Sequence, residues 1–291
     1  MALIPPFFLD TVVAIGVPIE NEQKAWIGTG FLFGNYNMTQ PDGQKNYEVF
    51  LITNKHVLKD QRTIILRFNP QTDQAAKDYI ETIIDTDGNP IWTGHSNPNY
   101  DVAVMRLNGQ ILQNEGMKFA LFASDQAVMT SDKMKENQIS EGDFCYVLGF
   151  PMGLVSPDRQ YVILRKGVIA RIRDFFEKRS TDFVVDAFVF PGNSGGPVIL
   201  KPEMISITGT KANQNAALIG IIKSYITFQD VAYSKQTNKP RIIFEENSGL
   251  ALVEPVDHII ETIAEDKAKL AKKELEKANA AAKVVADKPN S

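Results

Sequence analysis

The residue of this 291-residue sequence best placed to do chemistry is a serine, in the run Phe190-Pro191-Gly192-Asn193-Ser194-Gly195-Gly196-Pro197-Val198. Glycine frees the backbone to take conformations closed to other residues, so such a loop can cluster several amide N–H groups. A serine there can attack a carbonyl while those groups hold the oxygen that becomes negative. On composition alone the simpler reading is a Gly-rich turn between two apolar strands. The catalytic reading needs a base, normally histidine, and a carboxylate to orient it. The sequence has three histidines, His56, His95 and His258. His56 lies in FLITNKHVL, where an apolar strand gives way to a turn. Asp101 lies in NPNYDVAVMRL, a polar loop running into the apolar alternation of Val102 and Val104. His95, in GHSNPN, reads as a residue of an exposed loop, and His258 as a structural residue of a C-terminal helix. No cysteine or carboxylate cluster at ligand spacing accompanies any histidine, so neither a catalytic metal nor a cofactor is expected.

The same segments resemble those of trypsin-like serine proteases, the chymotrypsin-fold family, and among them bacterial HtrA/Deg-like protease domains. TNKHV is similar to the family's T-A-x-H segment, with Asn54-Lys55 replacing the usual small residue. YDVAVMRL resembles its D-[IVL]-A segment, and GNSGGPV its G-D-S-G-G-P segment in the Asn form of HtrA-like members. LIGIIKSY (218–225) resembles the strand lining the primary specificity pocket, and NSGLALV (247–253) the strand beside it. The five segments fall in the family's order within residues 7–260, and His, Asp, Ser is the chain order of the chymotrypsin template. The resemblance implies Ser194 as nucleophile, His56 as general base and Asp101 as its orienting carboxylate. It places an oxyanion hole in the backbone of Gly192, Asn193 and Ser194. It also puts Phe188 on the floor of the substrate pocket, with Val189, Lys223, Ser224, Tyr225 and Gly249 as walls. No acidic residue lies on that floor, which disfavours Arg or Lys before the cleaved bond and leaves an apolar or small side chain.

In digestive relatives an aspartate at the position of Asn193 pairs with a new N-terminus made by propeptide cleavage. Asparagine carries no charge for that pair. The oxyanion loop must then be organised permanently, by oligomerisation or by a ligand. The length after the protease segment leaves no room for a PDZ domain, so a regulator is expected to be a protein partner or the C-terminal tail. Two alternatives differ in class. A catalytically silent binding or scaffold protein has no chemical need for all three residues. An α/β-hydrolase places its histidine after its serine, and an early His56 does not fit that order.

Composition suits a globular protein, with 44% hydrophobic and 23% charged residues and a formal net charge of −4. Mild acidity gives no reason to expect nucleic acid or an anionic membrane as partner, leaving a protein or peptide substrate. The single cysteine, Cys145, excludes an internal disulfide and reads as inert core. The leading segment lacks basic residues and is broken by Pro5, Pro6 and Asp10, and no run approaches the roughly 18 apolar residues a bilayer requires. A cytoplasmic location is the expectation.

Short Val/Ile/Phe-rich runs punctuated by Gly, Pro and Asn predict an all-β protein. The family resemblance makes this two six-stranded antiparallel β-barrels, with His and Asp on the first (1–120) and Ser on the second (121–264). The boundary is expected within 117–141. Residues 35–46 read as a hairpin tip, 69–90 as a loop holding a short helix, and 227–248 as a hairpin beside the pocket. These loops are either tolerated surface insertions or walls that narrow the cleft. Residues 256–264 carry apolar positions at helical spacing and predict the closing helix. Residues 265–291 form a charged, Ala-rich helical or disordered tail without an apolar seam.

Overall fold

The computed structural model describes residues 4–21, 23–204 and 207–286, with side chains as far as residue 279. The expectations for the first three residues and for 287–291 of the tail lie outside the described residues. A 3-10 turn (Pro6–Thr11) leads into β1 (Val12–Pro18), β2 (Lys24–Thr39), β3 (Lys45–Thr53), the single-turn helix α1 (Lys55–Leu58), β4 (Thr63–Pro70), β5 (Lys77–Thr82), β6 (Thr93–Gly94) and β7 (Ala103–Arg106). The helix α2 (Gly109–Asn114) and two short strands, β8 (Met117–Lys118) and β9 (Phe122–Ala123), complete this half. The second half runs through α3 (Ser131–Glu136), β10 (Phe144–Gly149), β11 (Ile163–Arg171), α4 (Arg173–Phe176), β12 (Phe183–Asp186), β13 (Pro197–Leu200), β14 (Ala217–Tyr233) and β15 (Pro240–Pro255). The long helix α5 (Val256–Ala286) follows.

Strands β10-β11-β12-β15-β14-β13 close into an antiparallel barrel of six, as the sequence leads one to expect. The N-terminal half is a sheet of nine strands in the order β5-β4-β1-β2-β3-β7-β6, with β8 on β4 and β9 on β2. One of the additions corrects an expectation. Where a short helix was predicted within 69–90, β5 pairs antiparallel with β4, Thr63 opposite Thr82 and Phe68 opposite Lys77. The open edge of β4 offers unpaired backbone groups, and pairing them outweighs any local helical preference.

The period of two in the strands explains how two β-layers and a shared core arise from one chain. Val13 and Ile15 of β1 join Leu32, Leu51 and Leu66 inside the N-terminal half. The alternate residues Val12 and Ala14, with Phe31, Phe33, Phe50 and Ile52, face the other way. There they meet Tyr146, Leu148, Ile199 and Ile221 of the C-terminal barrel, whose own interior takes Cys145, Val147, Val198 and Val253. Both faces of the central strands are therefore buried, and the apolar seam between the halves fixes the cleft above it.

Helix α5 adds Val256, Ile259 and Ile263 to this seam. It does not break at residue 265. Asp266 accepts from Thr93 Oγ1 at 2.8 Å and from Arg106 Nε at 2.7 Å, and Glu265 accepts from Ser96 N at 2.8 Å. Beyond these ties Leu270 and Leu275 are exposed. At the far side of the barrel β14 and β15 run on past the sheet as a hairpin, Thr227 opposite Asn247 and Val231 opposite Ile243. Phe228, Tyr233, Ile242, Ile243 and Phe244 are exposed on it. None of the described helices is long and apolar enough to cross a membrane.

Candidate active site

His56 is set by the end of β3. The strand stops at Thr53, Asn54 takes an extended conformation, and α1 places His56 in its only turn. Asn54 is buried and donates from Nδ2 to the Asp101 carbonyl at 2.7 Å. Asp101 grips His56 twice: Oδ2 lies 2.5 Å from His56 Nδ1, and Oδ1 accepts the His56 backbone N–H at 3.1 Å. A carboxylate on Nδ1 favours the tautomer that carries its proton there and leaves Nε2 as the acceptor. The ring is half exposed, on the wall of a cavity of about 440 Å³ that Ser194 also lines.

Pro191 and Gly192 fill the two central positions of a β-turn that closes with Asn193 N–H on the Phe190 carbonyl at 2.9 Å. Proline presets the first position of a type II turn, and Gly192, at φ +96°, supplies the positive φ of the second. The Pro191 carbonyl accepts the Met152 N–H at 2.5 Å. In a trans peptide C=O and N–H point in opposite directions, so this bond turns the Gly192 N–H away from Met152. The Gly192 carbonyl accepts from Thr29 Oγ1 at 2.6 Å, and Thr29 Oγ1 accepts the Phe150 N–H at 3.1 Å. Gly195, at φ +81°, passes so close to β2 that a Cβ would lie 2.2 Å from the Thr29 carbonyl. Thr29 N–H donates to the Ser194 carbonyl and Gly195 N–H to the Ile222 carbonyl, each at 2.9 Å. Ser194 is thus held by a strand from each half.

The geometry corrects parts of the sequence reading. Asn193 N–H closes the turn and is not free to hold an oxyanion; its side-chain Oδ1 instead accepts the Phe190 N–H at 3.0 Å. Phe188 is not the pocket floor. Beyond Asp186 the chain alternates, with Ala187 and Val189 inward and Phe188 outward and 54% exposed. Phe188 stacks on Phe190, and Gly249 packs beneath its ring rather than on the cavity wall. Val189, Phe190, Pro191, Ile222, Lys223, Ser224, Tyr225 and Thr227 line the cavity instead. His95 is buried, not exposed. Its Nε2 is 3.0 Å from Glu261, its Nδ1 accepts the Asn97 N–H, and it lies edge-on to Tyr100.

The sequence reading also missed a charged cluster behind Asp101. Lys223 lines the cavity while its Nζ reaches Glu254 Oε1 at 2.8 Å, Asp182 Oδ2 at 3.0 Å and the Asn99 carbonyl at 2.9 Å. Glu254 is fully buried; Oε1 accepts the Asp101 N–H at 2.8 Å and Oε2 lies 2.6 Å from His258 Nδ1. The His258 ring stacks on Tyr100 at 3.6 Å. Burial pushes the Glu254 carboxyl up, but His258, Lys223 and the Asp101 N–H outweigh it and hold it below the usual range. Burial also pulls the Lys223 ammonium down, and Glu254 and Asp182 more than restore it. Asp182 is pushed up by its burial and by Glu254. One signal was legible: a glutamate between Val253 and Pro255, where an alternating strand meets an apolar helix, needs a partner.

A histidine–carboxylate pair facing a glycine-cradled serine between two β-layers defines a class of peptidase. The trypsin-like peptidase domain matches residues 28–203, a span holding His56, Asp101 and Ser194, and the chain belongs to this family. Among curated proteins it is similar to a probable periplasmic serine endoprotease DegP-like of Chlamydia pneumoniae, 27% identical over 219 residues. That match covers 72% of this chain and 33% of the relative. A protein of the same name from Pseudomonas putida is 24% identical over 244 residues, covering 83% of this chain and 41% of its own. The chain thus spans well under half the length of these relatives.

Proposed function

We propose that this chain is a serine endopeptidase acting through Ser194, His56 and Asp101. The observation that carries the proposal is the doubly hydrogen-bonded His56–Asp101 pair sharing one cavity with Ser194. In the reaction Ser194 Oγ bonds to the scissile carbonyl carbon as its proton passes to His56 Nε2. The carbonyl oxygen gains the negative charge and sits on the N–H groups of Gly192 and Ser194, which donate no hydrogen bond within the described residues. Collapse of the tetrahedral species breaks the C–N bond, with His56 returning the proton to the leaving amine. Water then repeats the sequence on the acyl-enzyme. Among the described residues no hydrogen bond joins Ser194 Oγ to His56, and such contacts commonly tighten only when substrate is bound.

The oxyanion loop needs no new N-terminus. Its turn, the Met152 N–H and the Thr29 hydroxyl support an arrangement built into the fold. An apolar residue before the cleaved bond is proposed because Val189, Phe190, Ile222 and the stem of Lys223 line the cavity while the ammonium is neutralised behind it. A cytoplasmic location remains a proposal beside the periplasmic names of the relatives, and cell fractionation decides it. Hydrolysis of a fluorogenic peptide library tests the activity. Apolar residues should exceed Arg and Lys at the cleaved position by at least about tenfold, with Ser194→Ala inert. A preference for Arg or Lys overturns the pocket assignment, and equal hydrolysis by Ser194→Ala overturns the activity.

A further inference from the structure

Asp101 is held from behind as well as in front. Its carbonyl accepts from Asn54, its carboxylate holds His56, and its backbone N–H ends on a glutamate of the opposite half. That glutamate, Glu254, is the last residue but one of β15 and is wholly buried. Burying a carboxylate is costly, and well-packed apolar residues commonly replace a buried ion pair without loss of stability. Here the cost places two hydrogen bonds and one ring stack on the Asp101 segment. Glu254 takes the Asp101 N–H, Lys223 donates to the Asn99 carbonyl, and His258, itself bonded to Glu254, stacks on Tyr100.

We infer that Glu254 is a positioning residue for Asp101, and that Lys223, Asp182 and His258 serve to hold its carboxylate in place. The inference rests on the reading of His56, Asp101 and Ser194 as a catalytic set. It assigns the C-terminal barrel, through the end of β15 and the start of α5, the task of fixing an aspartate borne by the other half. Ser224, on the cavity wall, makes no hydrogen bond to Asp101 among the described residues. The groups that face Glu254 are Lys223 from β14, His258 from α5 and the Asp101 loop, with Asp182 beyond Lys223.

Removing Glu254 alone would take from Lys223 the nearer of its two carboxylates, so the test compares two double variants, Lys223→Met with Glu254→Gln and Lys223→Met with Glu254→Leu. Both lack the ion pair and carry the same change in the cavity; they differ in whether an oxygen remains for the Asp101 N–H. The rate of acylation by a fluorophosphonate should be about 10–100-fold lower with leucine than with glutamine, from the cost of an unpaired buried N–H. Binding of a peptide product should be alike in the two, and each should unfold cooperatively. The low-field proton resonance of His56 Nδ1 against Asp101, read by NMR, should persist with glutamine and be lost or displaced with leucine. Equal acylation rates together with an unchanged resonance overturn the assignment. If the unmodified protein does not acylate, the catalytic reading fails, and the resonance alone still judges the role of Glu254.

Discussion

Gly192→Ala should abolish most of the activity while leaving most of the fold. Gly192 sits at φ +96°, where an L-residue costs about 1–2 kcal/mol. A Cβ there would lie 2.4 Å from the Phe150 carbonyl oxygen, far inside contact distance, and 3.2 Å from the Met152 nitrogen. That carbonyl cannot readily withdraw, because Phe150 N–H is bound to Thr29 Oγ1 and the carbonyl itself accepts from Gly153. The Pro191–Gly192 peptide must therefore rotate, and its N–H leaves the cleft. Loss of one oxyanion donor costs about 10²–10³ in kcat with little change in KM. Gly43→Ala supplies the control. Its φ of +85° imposes the same backbone strain, but nothing lies within 4 Å of the added carbon, so kcat should be unaffected. Thr29→Val, which removes the hydroxyl bonded to the Gly192 carbonyl, should fall between the two. The assay is steady-state hydrolysis of a fluorogenic peptide alongside thermal unfolding. A Gly192→Ala protein with native kcat, or a loss accounted for by unfolded protein, would refute the reasoning.

Two further predictions concern stability and reactivity. Burial raises the Glu141 carboxyl, but the N–H groups of Ile172 and Arg173 and the Ser140 hydroxyl lower it to about 2. A depressed value stabilises the fold above the unfolded value of about 4.3 and loses that effect as pH falls towards 2. Glu141→Ala should thus cost about 1–2 kcal/mol in urea unfolding at pH 7, with the gap narrowing below pH ~4; a gap independent of pH contradicts this. Cys145 is fully buried, its thiol pushed up to about 12 by burial, so iodoacetamide should modify it only after unfolding; alkylation of native protein would contradict that placement.

The alternation of apolar residues was sufficient to locate the long strands, because a strand buried on one or both faces must show it. The resemblance of GNSGGPV, TNKHV and YDVAV to the trypsin-like segments located the three candidate catalytic residues, in a Gly-rich loop, at a strand end and at a loop edge. Features set by long-range pairing were not legible. Strand β5 looks helical in isolation and is fixed by the edge of β4. Phe188 was misplaced because a one-residue shift in an extended segment exchanges inside for outside. The turn hydrogen bond that occupies Asn193 follows from Pro191-Gly192 and could have been derived from the sequence. The role of Thr29 could not, since its partners Phe150 and Gly192 lie 121 and 163 residues away, and for Glu254 only the need of a partner is legible, Asp101 lying 153 residues from it. Lys223 was named as a wall of the pocket, and only the structure separates its stem from its charge.

The central claim is an activated serine opposite a formed oxyanion hole. Labelling with a fluorophosphonate probe tests it most directly, comparing the native protein with Ser194→Ala and His56→Ala. The account predicts rapid labelling of the native protein, none of Ser194→Ala and a rate reduced by at least about 10³-fold for His56→Ala. A folded native protein that stays unlabelled, or labelling that survives Ser194→Ala, would contradict it.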